Sequence, residues 1–200
     1  MTRFERVVKR SLDILVAAAA LPALSPVMAL VAVWIKLDSP GPILFRQERL
    51  GLGGRLFRIL KFRTMREGAP VLIDPTGKLV NEADDLRHTR VGKFLRRFSL
   101  DELPQLVNVL RGEMSLVGPR PDLPEGLRYY DDHQRNRLAV RPGITGLAQV
   151  SGRNEQGSAE RWNLDAEYAL SYSLRLDMRI LRKTLGIVAR CSGVYKRTGP

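Results

Sequence analysis

Residues 14–35 form a run of 22 positions without a charge, set between Asp13 and Lys36. As an ideal helix such a run reaches about 33 Å, enough for the ~30 Å hydrocarbon core of a bilayer. Arg3, Arg6, Lys9 and Arg10 give it the basic lead-in of a cleaved leader. The run exceeds the ~7–15 apolar residues of a leader, however, and no small-x-small cleavage site follows it. Pro22, Ser25 and Pro26 interrupt it. The prolines remove the amides that would serve the carbonyls of Ala18 and Pro22, on one helix face, so a bend is expected there. The Ser25 hydroxyl can reach back to the carbonyl of Leu21 or Pro22, supplying a donor where lipid has none. So central a bend leaves two topologies open, a kinked span and a re-entrant hairpin that enters and leaves by one leaflet. Four Lys or Arg precede Asp13 and seven lie from Lys36 to Arg63; a hairpin keeps both basic flanks on one side.

After Ser39-Pro40-Gly41-Pro42, which cannot continue a helix, the period changes. Runs at 43–47 and 56–63, joined by a turn with Gly51, Gly53 and Gly54, predict a short β-hairpin. Alternation puts Phe57, Ile59, Lys61 and Arg63 on one face of the second run. The polar stretch 66–85 has the composition of a surface loop. From 89 to 110 the spacing turns helical, with Val91, Phe94, Leu95 and Phe98, then Leu103, Leu106, Val107 and Leu110, and Gly112 as the stop. Residues 117–157 are loop-rich, with rigid basic corners at Gly118-Pro119-Arg120-Pro121 and Arg141-Pro142-Gly143. A last amphipathic helix carries Ile180, Leu181, Thr184, Leu185 and Val188 on one face, with Gly193 as its stop; such a face suits a membrane surface or a core equally. The pattern predicts an α+β, mainly helical chain. Residues 1–38 form a membrane-associated segment, and residues 39–200 a domain with a short β-hairpin and amphipathic surface helices.

Charge narrows the partners. Lys and Arg number 33 against 21 Asp and Glu, for a net +12 and a pI near 10.5, which calls for nucleic acid, anionic lipid or a phosphorylated substrate. An apolar content of 44% excludes intrinsic disorder. Aromatic residues, at 6%, are few for base stacking, and no nucleic-acid motif is present. The lone Cys191 excludes an intramolecular disulfide and a Cys-rich zinc site, and two histidines do not build a metal site. A carboxylate-bound Mg²⁺ stays open.

Candidate chemistry centres on Ser99-Leu100-Asp101-Glu102-Leu103-Pro104. In its plainest reading this is a capping box, with Ser99 as the N-cap and Glu102 reaching back. Pro104 then falls at the fifth helical position, where its missing amide matters; with Asp101 as the cap it falls at the third, where it is harmless. Arg87, Arg96 and Arg97 precede the dyad, and Arg111, Arg120 and Arg141 follow it. Carboxylates among so many guanidiniums are expected to stay ionised and to share Mg²⁺ with a phosphate. Arg120 and Arg141, fixed beside prolines, have less freedom to lose on gripping that phosphate.

Five stretches occur in order: Ser25-Pro26 in the apolar run; Lys61-Phe62-Arg63-Thr64-Met65; residues 99–106, Ser-Leu-Asp-Glu-Leu-Pro-Gln-Leu; Met114-Ser115-x-x-Gly118-Pro119-Arg120-Pro121; and Arg141-Pro142-Gly143-Ile144-Thr145-Gly146. Together, over residues 4–196, they resemble the bacterial sugar transferase family, the monotopic polyprenyl-phosphate phosphoglycosyl transferases, in its compact form without additional N-terminal membrane segments. The resemblance implies transfer of a phosphosugar from a UDP-sugar to a polyprenyl (undecaprenyl) phosphate, with release of UMP, as the first membrane step of a polysaccharide or glycoconjugate. It implies Asp101 as nucleophile and metal ligand, Glu102 as its partner, and Mg²⁺ as cofactor. Lys61, Arg96 and Arg120 match its basic positions, Arg63 lies in its second motif, and Arg87 and Arg141 are added on their chemistry as further substrate-binding residues. It also implies a re-entrant helix bent at Pro22, Ser25 and Pro26, resting in phospholipid at the bacterial inner membrane. The catalytic domain then lies on the cytoplasmic face, with no nucleic-acid partner and homo-oligomers open. Three rivals stand beside it: a membrane-tethered nucleic-acid-binding protein, an adaptor whose dyad is only a cap, and a transferase that moves the sugar alone and releases UDP.

Overall fold

The computed structural model describes residues 3–72, 85–152 and 157–189. Residues 73–84 of the expected loop and the Gly193 stop lie outside them. The described chain is mainly helical, with a short antiparallel hairpin and one long apolar N-terminal helix.

Helix α1 runs unbroken from Arg3 to Asp38 with both prolines inside it. The Ser25 hydroxyl donates to the Pro22 carbonyl at 2.8 Å, replacing the amide that Pro26 lacks. One stripe faces the rest of the molecule. Asp13, Ala17, Val31 and Ile35 are buried, and Ala20, Leu21, Leu24, Met28 and Ala32 are partly so, at the three-to-four spacing of a single helix face. Outside that stripe Leu15, Leu30, Val33 and Leu37 are exposed, Leu37 at 82%. The helix is long and apolar enough to cross a membrane, and 11% of its most apolar window is buried.

Two hydrophobic clusters share α1. Its first half meets Phe57, Ile59, Leu106, Val109 and Met114, and its second half meets Phe62, Val91 and Leu95. Each such side chain contributes roughly 1.5–3 kcal/mol by leaving water. Polar clamps fix both ends. Near the start Lys9 donates to Asp177 at 2.6 Å, Arg10 donates to the carbonyls of Val109 and Leu110, and Asp13 accepts from the Leu116 amide at 3.0 Å. Near the end Lys36 donates to the Gly41 carbonyl at 2.9 Å.

Strands β1 (Leu44–Leu50) and β2 (Leu56–Phe62) pair antiparallel with Leu44 opposite Phe62, which makes the expected hairpin longer on its first arm. Gly53 at φ 64° and Gly54 at φ 77° make the turn, a left-handed backbone that favours glycine. The buried Asn108 joins β2 to the next layer. Its side chain accepts from the Leu60 amide and donates to the Arg58 carbonyl and to Glu113.

The helical stretch 89–110 divides into α2 (Arg90–Arg97), a 3₁₀ turn (Leu100–Glu102) and α3 (Gln105–Arg111). Thr89 caps α2, accepting from the Gly92 amide at 2.9 Å. Both capping alternatives for the dyad are overturned: Ser99 makes no side-chain cap, and Pro104 precedes α3 with Asp101 inside the 3₁₀ turn. The loop-rich stretch contains more order than expected. Strand β3 (Ser115–Val117) pairs in parallel with β4 (Gly143–Thr145), and α4 (Leu147–Ser151) follows. Helix α5 (Ser158–Ser171), absent from the pattern reading, leads to α6 (Leu174–Ala189). The amphipathic face of α6 divides. Ile180 is buried against Val117 and Tyr168, whereas Leu185 is 72% exposed.

Candidate active site

Ser99 is the sole non-glycine residue with positive φ among the described residues, at φ 57° and ψ 23°. Such a backbone costs about 1–2 kcal/mol in an L-residue. It ends α2 and turns the chain into the 3₁₀ segment that presents Asp101 and Glu102 beside β2.

Glu102 is the junction of the charged groups. Its Oε1 accepts from Lys61 Nζ at 2.7 Å and from both terminal nitrogens of Arg120 at 3.4 Å. Burial lowers the Lys61 ammonium from its ordinary value, against the opposing pull of Glu102. Asp101 is buried and accepts no hydrogen bond among the described residues. Burial pushes its carboxyl up to about 6, aided by Glu102 and opposed by Lys61, Arg96 and Arg120. Desolvation thus works against the arginines expected to keep this carboxylate ionised and brings Asp101 closer to its titration range.

Arg120 reaches this cluster from a loop whose backbone is tied down. Its carbonyl accepts from Arg137 at 2.6 Å, the Pro121 carbonyl accepts from Arg49, and the Asp122 carbonyl accepts from the Leu50 amide at 2.9 Å. Asp122 Oδ2 accepts from Tyr130, Arg137 and Trp162, while Arg137 also donates to Asp165 at 2.7 Å and to the Tyr130 hydroxyl. Below the loop, the Gly118 amide donates to Thr145 and the Gly143 amide to the Pro119 carbonyl, each within 3 Å. A Cβ on Gly118 would meet the Arg141 carbonyl, and one on Gly143 or Gly146 would meet Gly118. The two glycine-proline motifs are thus one close-packed cradle.

Lys61, Glu102 and Arg120 come together in direct contact, and Arg96 joins through its field on Asp101. Three other expected substrate-binding residues are placed elsewhere. Arg63, buried, donates to the carbonyls of Pro40 and Ser39 and to the Ser39 hydroxyl, closing the C-terminus of α1. Arg141 donates to the Gly112 carbonyl at 2.8 Å, closing the end of α3. Arg87 pairs with Asp85 at 2.5 Å within its own loop and holds that carboxyl down at about 2. Arg63 and Arg141 find acceptors at the ends of α1 and α3, and Arg87 finds its own within its loop, which motif spacing does not reveal. Pattern reading missed Asp122, Arg137 and Asp165. Their signal was the rarity of buried charge, visible only once Arg137 is seen at 3% exposure.

A profile of bacterial sugar transferases matches residues 4–191. The chain belongs to the bacterial sugar transferase family. Within it, the chain is 43% identical to the exopolysaccharide production protein ExoY of Sinorhizobium fredii, covering 94% of this chain and 88% of that one. It is 44% identical to a UDP-glucose:undecaprenyl-phosphate glucose-1-phosphate transferase of Caulobacter vibrioides, over 94% and 72%. A similarly named transferase of Xanthomonas campestris is 46% identical over 88% of this chain, which spans 37% of that longer protein.

In this sugar transferase no three of His, Cys, Asp and Glu gather around one point among the described residues. Mg²⁺ is commonly held by one or two carboxylates together with phosphate oxygens, so the described residues would fit it as an ion shared between protein and ligand. Asp101, which accepts no hydrogen bond among the described residues, would be a donor to such an ion.

Proposed function

We propose that this chain transfers a phosphosugar from a UDP-sugar to a polyprenyl phosphate, releasing UMP, and that Asp101 carries the phosphosugar between the two. The observation that carries this reading is a buried carboxylate without a hydrogen-bond donor of its own, set beside Lys61, Arg96 and Arg120. An Asp Oδ attacks the phosphorus that bears the sugar, and the bond from that phosphorus to the UMP oxygen breaks. An oxygen of the polyprenyl phosphate then attacks the same phosphorus and restores the free carboxylate. Lys61 and Arg120, already joined through Glu102, neutralise charge on the diphosphate, and the fixed Pro119-Arg120-Pro121 loop holds that guanidinium in place. Asp101 would hold Mg²⁺ together with the phosphates, and the ion would supply further charge neutralisation. The names of the relatives, which specify undecaprenyl phosphate and glucose 1-phosphate, support the same substrate classes.

The membrane reading belongs to this proposal. Helix α1 rests in one leaflet as a re-entrant segment at the inner membrane, with the catalytic residues at the cytoplasmic surface where a polyprenyl phosphate keeps its head group. In support, both ends of α1 are clamped to the same domain, through Asp177 and Val109 at one end and, at the other, through Arg63 on the Ser39 carbonyl and the Val91 amide on Asp38, whereas a span needs its ends on opposite sides.

Purified protein with Mg²⁺ and polyprenyl phosphate is expected to release UMP, not UDP, from one UDP-sugar of a panel, and a labelled sugar phosphate is expected to remain on the wild type but not on Asp101→Asn. Release of UDP, or persistence of the label in that variant, overturns the reading. Thiols introduced near Arg3 and Lys36 are expected to react from the cytoplasmic side alone; labelling from opposite sides would establish a span.

A further inference from the structure

His88 sits where the chain bridges to Met65, and it is 5% exposed. Its Nδ1 lies 3.2 Å from the Thr64 carbonyl oxygen, which can only accept, so Nδ1 carries the hydrogen. Its Nε2 lies 3.2 Å from Nη1 of Arg96, which can only donate, so Nε2 holds the lone pair. Both contacts are satisfied together when the ring is neutral and protonated on Nδ1. Burial and the charge of Arg96 both push the imidazolium below its ordinary value, in keeping with that state.

The support behind the ring is rigid. The Thr64 carbonyl also accepts from the Thr89 amide at 3.1 Å, and Gly92 lies against Thr64 so closely that no Cβ fits. Arg96, on the far side of the ring, is one of the cations acting on Asp101. We propose that His88 is a positioning residue: its Nε2 holds the Arg96 guanidinium in place beside Asp101 for the phosphoryl group that reacts there. This rests on the reading of Asp101 as the reacting carboxylate. The arrangement parallels the outer partners of metal-binding histidines, in which one ring nitrogen is anchored so that the other has a fixed role.

The test is a double-mutant cycle on kcat/KM for UMP release, with ring-nitrogen NMR as a readout independent of activity. His88→Leu is expected to lower kcat/KM about tenfold, as for a lost hydrogen bond to a charged group. His88→Gln, whose amide oxygen can take the place of Nε2, is expected to recover most of it. In an Arg96→Met background His88→Leu should cause no further loss; an equal loss in both backgrounds would mean a structural role and would overturn the proposal. With two histidines in the chain, ¹⁵N spectra resolve His88 readily, and a ring protonated on Nε2 also overturns it. A wild type that shows the Nδ1-protonated ring but releases no UMP from any UDP-sugar counts against the proposed function alone.

Discussion

Asp101 and Asp122 both stand among arginines, yet their surroundings differ in one respect that decides what each can do. Asp122 Oδ2 accepts from a tyrosine, an arginine and a tryptophan, and Arg137 spans it and Asp165. Asp101 accepts from no donor among the described residues, and its cations act on it through space. A carboxylate with all its donors in place is scaffold, since removing any partner strands buried charge. One left without donors carries an unspent desolvation cost, which a ligand or a reaction can relieve. Residue type is the same in both places, and saturation separates them.

The comparison can be broken at either end. The largest effect is expected from Asp101→Asn, with turnover reduced at least about 10³-fold and the fold made more stable. The sign follows from its raised carboxyl. Because the folded protein holds this proton up to about pH 6, the stability associated with it is present at low pH and is lost as pH rises from the ordinary Asp range through about 6. Thermal melts at pH 5 and pH 8 should therefore show a greater gain for Asn at pH 8; equal gains would show that Asp101 is not perturbed. Next, Arg137→Met is expected to destabilise by about 3–5 kcal/mol in urea titrations, as for a buried network deprived of its cation, and a wild-type midpoint would refute the scaffold assignment. Third, Arg120→Ala should slow UMP release about 10²-fold while leaving the urea midpoint nearly unchanged, because its side chain is 44% exposed. A stability loss rivalling that of Arg137 would merge the two clusters into one. Fourth, with Asp101 needed in its ionised form, wild-type turnover should fall about tenfold between pH 7 and pH 5; a flat profile there excludes Asp101 as the titrating nucleophile. The smallest effect is Ser25→Ala, about 0.5–1.5 kcal/mol of stability in detergent or lipid, since it removes one hydroxyl bond to Pro22.

Legibility in the sequence followed the range of the interactions. The uncharged run became α1, and the glycine-rich turn became the hairpin, because period and turn chemistry act over a few residues. The motif at residues 99–106 and the Pro-Arg-Pro corner pointed to Asp101, Glu102 and Arg120, and folding brings the last two into contact. The same local logic misplaced Arg63 and Arg141. Both are basic and lie within motifs, but their acceptors are the carbonyls that close α1 and α3. The β3–β4 pair could not be read either, as three residues on each side carry no period and the register comes from glycine contacts 23 or more positions apart. The Ser99 backbone was likewise hidden: a serine before an acidic pair looks like a cap until the turn preceding it is known.

Helix α1 supplies one wall of both hydrophobic clusters, with Ala17 in one and Val31 and Ile35 in the other. A soluble form of this protein is therefore not to be had by cutting the helix away, which would uncover Phe57, Val109, Phe62 and Leu95 together. The route is to repaint it. Polar substitutions confined to exposed positions such as Leu15, Leu30, Val33 and Leu37, which point away from both clusters, would retain the wall and weaken the proposed affinity for lipid. Such a protein would still contain the residues proposed for catalysis yet, on the proposed function, act poorly on a membrane-bound acceptor, and a short-chain, water-soluble polyprenyl phosphate would restore its access to substrate.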